Sequence, residues 1–149
     1  MMPEKIKLIA IASDHAGFEF KEQIKNFLEK QGYTIKDFGT KSAESADYPD
    51  FAHPLAEAVE KDDFAFGITL CGSGNGISMT ANKHQGIRSA LCWNTEIAKF
   101  ARLHNDANVC SLPARYISYE LAKKIVTVFL NTDFEGGRHQ RRIEKIPVH

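Results

Sequence analysis

The 149-residue chain predicts an α/β fold: a three-layer α/β/α sandwich around a five-stranded parallel sheet, doubly wound in the Rossmann-like manner. Three observations predict it. Short apolar runs of strand length alternate strictly with amphipathic helical segments, the order that βαβ units produce. The first run is apolar at nearly every position, as in strands covered on both faces. The loops after the first and third runs gather the polar residues that carry chemistry, where open α/β sheets bind ligands.

Taken in order, Lys7-Leu8-Ile9-Ala10-Ile11-Ala12 is the first strand, closed by Ser13-Asp14-His15-Ala16-Gly17. Phe20, Ile24, Phe27 and Leu28 then recur at helical spacing until Gln31-Gly32 stops the helix. Residues 33–38 form the second strand, and 39–47 a polar loop. Tyr48-Pro49 opens a helix with Pro49 in its first turn and Phe51, Leu55, Ala58 and Val59 on its inner face. Residues 64–71 are the third strand, and residues 77–83 the helix that follows it. A fourth strand spans 89–93. Thr95 caps the next helix, through Ile97, Ala98, Phe100, Ala101 and Leu103. A fifth strand covers 107–112. Ser118 caps a long helix through Leu121, Ile125, Val128, Phe129 and Leu130, and Glu135-Gly136-Gly137 hinges into a basic tail. No linker or repeat interrupts this order, so residues 1–149 read as one domain.

Composition narrows the function. Hydrophobic residues make up 43% of the chain, enough for a full core, and the formal net charge is zero. Nothing global points to nucleic acid or to a solvating acidic tail. The polar start, Met1-Met2-Pro3-Glu4-Lys5, leads into an apolar run too short for a signal peptide, and no stretch reaches membrane-span length. Three cysteines without C-x-x-C spacing give neither a disulfide framework nor a structural zinc site. A cytoplasmic protein with reduced thiols is expected; Cys92 and Cys110 read as core residues.

The stretch with most chemical content is Cys71-Gly72-Ser73-Gly74-Asn75-Gly76. A buried strand stops at a cysteine, glycines let the backbone approach a ligand, and a helix begins. Such amides, with a helix N-terminus behind them, form an anion site, and a field of that sign favours a thiolate. The loop is neither a phosphate-binding P-loop nor a dinucleotide motif. It also fits a Gly-rich turn beside a buried free cysteine. Asp14 and His15 follow the first strand, as a helix cap and solvated histidine or as a phosphate contact. His104-Asn105-Asp106 fits a helix end or an acid–base histidine. Arg138 and Arg142 share a face if their segment is helical, and arginine forks match phosphate oxygens. The double glycine before them suggests a segment that leaves its own domain to pack on another subunit. These parts suit proton movement on a small phosphorylated substrate in which an oxyanion develops.

Six motifs carry a resemblance from about residue 7 to about residue 146: Ser-Asp-His-Ala-Gly (13–17), Asp-Tyr-Pro (47–49), Cys-Gly-Ser-Gly-Asn-Gly (71–76), Ala-Asn-Lys (81–83), His-Asn-Asp-Ala-Asn-Val (104–109) and Phe-Glu-Gly-Gly-Arg-His-Gln-Arg-Arg (134–142). Together they closely resemble the B-type ribose-5-phosphate isomerases, whose wider family includes galactose- and allose-6-phosphate isomerases. The resemblance implies interconversion of ribose 5-phosphate and ribulose 5-phosphate through an enediolate, without metal or organic cofactor. It implies Cys71 as the base, His104 as the group that opens the sugar ring, and Ser73, at a position where many members have threonine, as its assistant. Amides of Gly72, Gly74, Asn75 and Gly76 would hold the enediolate. His15, Arg115, Arg138 and Arg142 would bind the phosphate, and Asp14, Asp47 and Asn105 the sugar hydroxyls, with Tyr48 beside them. It implies a homodimer or a dimer of dimers, with the site at the subunit interface and segment 134–149 crossing over. Some members use a glutamate just after a Gly-Gly-Ser-Gly-Asn-Gly loop instead. This chain shares Ser-Gly-Asn-Gly but has Cys71 and no acid after Gly76, which leaves the base to Cys71. A six-carbon aldose 6-phosphate isomerase, a non-catalytic sugar-phosphate sensor and a cysteine-dependent hydrolase are the alternatives; the last lacks the arginine that phosphatase loops carry after the cysteine.

Overall fold

The computed structural model describes residues 7–148; the polar start Met1 to Lys5 lies outside them. Five strands, β1 (Leu8–Ser13), β2 (Thr34–Asp37), β3 (Phe66–Cys71), β4 (Ser89–Leu91) and β5 (Val109–Pro113), form one parallel sheet in the order β2-β1-β3-β5-β4. Six helices accompany them: α1 (Phe18–Lys30), α2 (Pro49–Glu60), α3 (Asn75–Ala81), α4 (Thr95–Leu103), α5 (Tyr119–Asn131) and α6 (Arg138–Ile143). The chain leaves β1 toward β2 on one side and leaves β3 toward the other side. The loops after β1 and β3 therefore diverge at the crevice where such sheets bind ligands.

The two faces of the sheet are unequal, and the sequence of β1 shows why. Ile9 and Ile11 point to a large core with Ile68, Leu70, Cys110 and Leu112, covered by α1, α4 and α5 through Ile24, Leu28, Ala98, Ala101, Ile125 and Phe129. Ala10 and Ala12 point the other way, to Leu55, Ala56 and Val59 of α2 and Ala81 of α3. Gly67 lies on that second face, where an added Cβ would come within 2.8 Å of Leu55 Cδ2. Small residues thus let α2 and α3 pack close to the sheet. Cys92 and Cys110 are fully buried, as expected of core cysteines.

Side-chain caps set the starts of α4, α5 and one short turn. The Ser118 side chain accepts from Leu121 N at the start of α5. At α4 the cap is Asn94, whose side chain accepts from Ile97 N at 2.8 Å, and not Thr95. Asparagine ranks above threonine at this position, and one residue of register decides which is extended and which helical. Asp14 caps a short 3-10 turn, His15–Gly17, before α1. The strands are shorter than apolar runs suggest: Tyr33 and Phe38 flank β2 rather than belong to it.

An ion cluster around the buried Lys21 fixes α1 to the end of β2. Lys21, fully buried, donates to Asp37 Oδ2 at 2.6 Å and to Glu22 at 2.7 Å. Lys25 reaches the same Asp37 oxygen at 3.1 Å, and Gly39 N donates to the other at 2.8 Å. Burial pushes the Asp37 carboxyl upward, but bonds from Lys21, Gly39 and Lys25 outweigh it and hold the group below the usual carboxylate range. Its stabilisation is therefore complete above the unfolded value, near ~3.9, and is lost as pH falls through the lower folded value. Asp37→Asn is expected to destabilise the fold by about 2 kcal/mol at neutral pH, below the full cost of breaking a buried pair because Glu22 remains. Chemical denaturation across pH 2–7 checks this: the loss should shrink toward the acid end.

Candidate active site

β3 ends at Cys71, on the side of the sheet that faces α2 and α3. The thiol is 5% exposed and packs with Ala52 of α2 and Ile77 of α3. The chain then turns through Gly74, whose φ of 78° is a left-handed conformation that suits glycine. No side chain would fit there: a Cβ would lie 2.4 Å from Leu91 Cδ1 and 3.1 Å from the Leu112 carbonyl carbon. Helix α3 starts at Asn75, two residues earlier than its apolar pattern indicates. Its first amides have no intrahelical acceptor and present the positive end of the helix beside the thiol. One of them, Asn75 N, donates to Ser73 Oγ at 3.2 Å.

Several expected residues gather around this loop. A Cβ on Gly72 would lie 3.3 Å from Arg115 Cδ and 3.7 Å from Ala16 Cβ, so the arginine after β5 and the turn after β1 both touch it. Arg115 N donates to Gly72 O at 3.0 Å, and Ala114 N to Cys71 O at 3.0 Å. The Tyr48 ring lies over Gly76, where a Cβ would meet its Cζ at 2.4 Å. One oxygen of Asp14, Oδ1, accepts from Ala16 N and Gly17 N, at 3.0 and 3.2 Å. His15 Nδ1 sits 3.1 Å from Ala46 N and 3.3 Å from Ala46 O. One nitrogen cannot serve both; the amide hydrogen is fixed, so Nδ1 accepts and Nε2 carries the proton, free for a ligand oxygen. Asp47 and Tyr48 are exposed at the start of α2.

His104, Asn105, Arg138 and Arg142 are elsewhere. In the β3–β5 register Gly67 stands opposite Val109 and Cys71 opposite Pro113. Those rungs are about 13 Å apart at ~3.3 Å per residue. His104 ends α4 before the Val109 rung, so it lies at the amino edge of the sheet, and Cys71 lies at the carboxyl edge. The tail stays at that amino edge in its own chain. Glu135 N donates to Leu103 O at 3.0 Å, and Gln85 pairs with the backbone of Val148. Arg138 and Arg142 are exposed on α6, one turn apart.

His104 is held there by aromatic stacking, with the Phe100 ring centroid 4.8 Å away and the His139 centroid 4.3 Å away. Its Nε2 lies 3.8 Å from Glu135. Among the described residues, His104, Glu135 and His139 bring their ligand atoms within 4.8 Å of one another. His139 is buried and its Nε2 has no partner. Burial, then the charges of His104, Arg138 and Arg142, push the His139 ring below its ordinary pKa against the pull of Glu135.

Sequence reasoning missed a chain of four hydroxyls that joins α3 to three strands. Thr69 Oγ1 and Ser111 Oγ are 2.6 Å apart, Ser111 and Ser89 3.0 Å, and Ser89 and Ser78 2.9 Å. Thr69 and Ser111 are fully buried. The available signal was a lone hydroxyl inside each apolar strand, Ile68-Thr69-Leu70 and Cys110-Ser111-Leu112.

A doubly wound parallel sheet with a thiol and a glycine loop at the end of its central strand defines an α/β protein of the strand-end-loop type. The chain belongs to the Ribose/Galactose Isomerase family, whose model matches residues 9–146. It is 44% identical over 141 residues to the ribose-5-phosphate isomerase B of Escherichia coli, covering 95% of each chain. Its fold matches a ribose 5-phosphate isomerase from Thermotoga maritima with a TM-score of 0.92 at 52% identity, over 94% of this chain and 97% of that one. It matches the ribose-5-phosphate isomerase B of Mycoplasma genitalium with bound ribulose-5-phosphate at a TM-score of 0.90 and 43% identity, over 93% of each. No helix among the described residues is long and apolar enough to cross a membrane.

The contact between Tyr48 and Gly76 gives a direct check on the loop. Gly76→Ala is expected to lower kcat/KM about 100-fold, because the displaced loop misplaces its amides by about an ångström. Tyr48→Ser in the same chain should restore part of that loss by making room, measured by steady-state kinetics on the double variant.

Proposed function

We propose that the protein interconverts ribose 5-phosphate and ribulose 5-phosphate, with Cys71 as the base that carries a proton between C2 and C1. The observation that carries this reading is the placement of Cys71 at the end of β3, beside the first turn of α3, with Arg115 against Gly72. The thiolate takes the proton from C2, and the electron pair moves through C1 onto O1. The enediolate oxygen is held by the amides of Gly72, Gly74, Asn75 and Gly76, where charge develops only in the transition state. The proton on O2 passes to O1, and Cys71 returns its proton to C1, leaving the ketone at C2. Ser73 bridges the two oxygens once its hydroxyl leaves Asn75 N. The phosphate lies against His15 Nε2 and Arg115.

Ring opening needs His104, and Cys71 and His104 of one chain lie at opposite edges of the sheet. The complete site therefore takes Cys71, the loop, Asp14, His15, Asp47, Tyr48 and Arg115 from one copy. His104, Asn105, Arg138 and Arg142 come from the partner copy. The exposed arginines of α6 supply the second half of the phosphate contacts, and a homodimer or dimer of dimers is the working form.

Purified protein assayed with a chelator is expected to convert ribose 5-phosphate, and Cys71→Ala to lose at least about 1,000-fold in kcat, within the range for a positioned base. Turnover of six-carbon aldose 6-phosphates alone would move the substrate to the longer sugars, and full activity of Cys71→Ala would remove the thiol from catalysis. The shared site has its own test. Cys71→Ala and His104→Asn, each inactive alone, should recover about a quarter of wild-type activity after mixing and subunit exchange: half the dimers are mixed, and each holds one intact site. No recovery, with mixed dimers confirmed by mass spectrometry, would place His104 outside the partner's site.

A further inference from the structure

The geometry points to a second site that the isomerase chemistry does not use: a divalent copper or nickel site formed by His53 and His84. His53 lies on α2, and His84 lies just past α3. Their facing nitrogens, His53 Nδ1 and His84 Nε2, are 2.8 Å apart, and the rings are inclined by 56°. Glu60 stands behind His84, with Oε1 3.6 Å from Nδ1. The other Glu60 oxygen accepts from Gly86 N at 2.6 Å, which anchors the carboxylate. The His84 backbone is bonded on both sides, to Ala81 O and from Ile87 N.

This is a carboxylate–histidine pair with a second imidazole facing it. A carboxylate behind Nδ1 keeps the proton there and leaves the Nε2 lone pair facing outward, the arrangement that orients metal-binding histidines. Without an ion, His53 Nδ1–H donates to that lone pair. With an ion, the His53 proton moves to its Nε2, both facing nitrogens give lone pairs, and water fills the open positions. No net proton is released from the neutral pair, and no oxidation state changes. The 2.8 Å spacing is that of the hydrogen bond, so binding an ion requires the exposed His53 ring to turn until both lone pairs converge on one point. Imidazole donors with open water positions suit Cu²⁺ and Ni²⁺, and Cu²⁺ stands highest in the affinity order of divalent ions. The competing site is the cluster of His104, Glu135 and His139, whose ligand atoms lie within 4.8 Å of one another and whose imidazole rings are 13° from parallel. His53 is exposed and His84 partly so, which leaves room for water ligands.

The test is titration of the full chain, without a histidine tag, with Cu²⁺, followed by calorimetry and electron paramagnetic resonance. One equivalent should bind, with coupling from two nitrogens. Outer-shell partners alone are worth about 10–100-fold in metal affinity, so His53→Gln and His84→Gln should each cost at least about tenfold and one nitrogen coupling. Glu60→Gln should cost less, about threefold to tenfold, because its contact is long. His139→Gln should leave the affinity unchanged. Absence of stoichiometric binding to the wild type would overturn the proposal, as would binding that survives both histidine variants or is lost in His139→Gln. The wild-type spectrum does not depend on how any variant folds.

Discussion

The close approach of α3 to the sheet is the constraint on which the site rests. Gly74 must take a left-handed turn in a space closed by Leu91 and Leu112, so that α3 starts at Asn75, close after Cys71. Any side chain at this position meets both a strained φ and an occupied volume. The helix then settles on a face made small by Ala10, Ala12, Gly67, Thr69 and Ser111, whose hydroxyls meet Ser78 through Ser89. The hydroxyl chain has no apolar substitute of equal direction. It fixes the rotation of α3, and so the direction of its first amides, because each buried hydroxyl is costly unless its partner stays in place. Packing, backbone conformation and polar satisfaction thus converge on one short helix.

The strand and helix order was legible because each apolar run had its own length and stop signal. What was illegible was fine register. Asn94 and Thr95 are both good caps, and only the extended backbone at Asn94 separates them. The unequal faces were written in β1 as Ile9 and Ile11 against Ala10 and Ala12, although an apolar run conceals that alternation until side-chain size is weighed. Thr69 and Ser111 became informative only once the β3–β5 register placed them opposite each other.

The site was legible at one edge and not at the other. Asp14, His15, Cys71 and the loop glycines follow strand ends, and topology alone places them together. His104 and Asn105 follow a helix end, and a helix antiparallel to its strands ends at the opposite edge. A list of motifs in chain order does not carry that sign, but the alternation of the elements does. The glycine pair, Gly136 and Gly137, both with positive φ, turns the chain sharply into α6. In its own chain that turn sets His139 against His104. It exposes Arg138 and Arg142 on a surface that holds no phosphate loop.

The electrostatics of the tail follow from the same division. Three arginines, Arg138, Arg141 and Arg142, fall within one short helix in a chain of zero net charge. Their mutual repulsion is tolerable at a solvated edge, where water and salt screen it. His139 sits inside that field, and burial together with His104, Arg138 and Arg142 pushes its ring below its ordinary pKa. The ring stacks on His104, where a proton on it would add to the positive charge of Arg138 and Arg142. Among the described residues, Glu135 opposes that shift. All three arginines are exposed, so their charge faces solvent along that edge of the sheet.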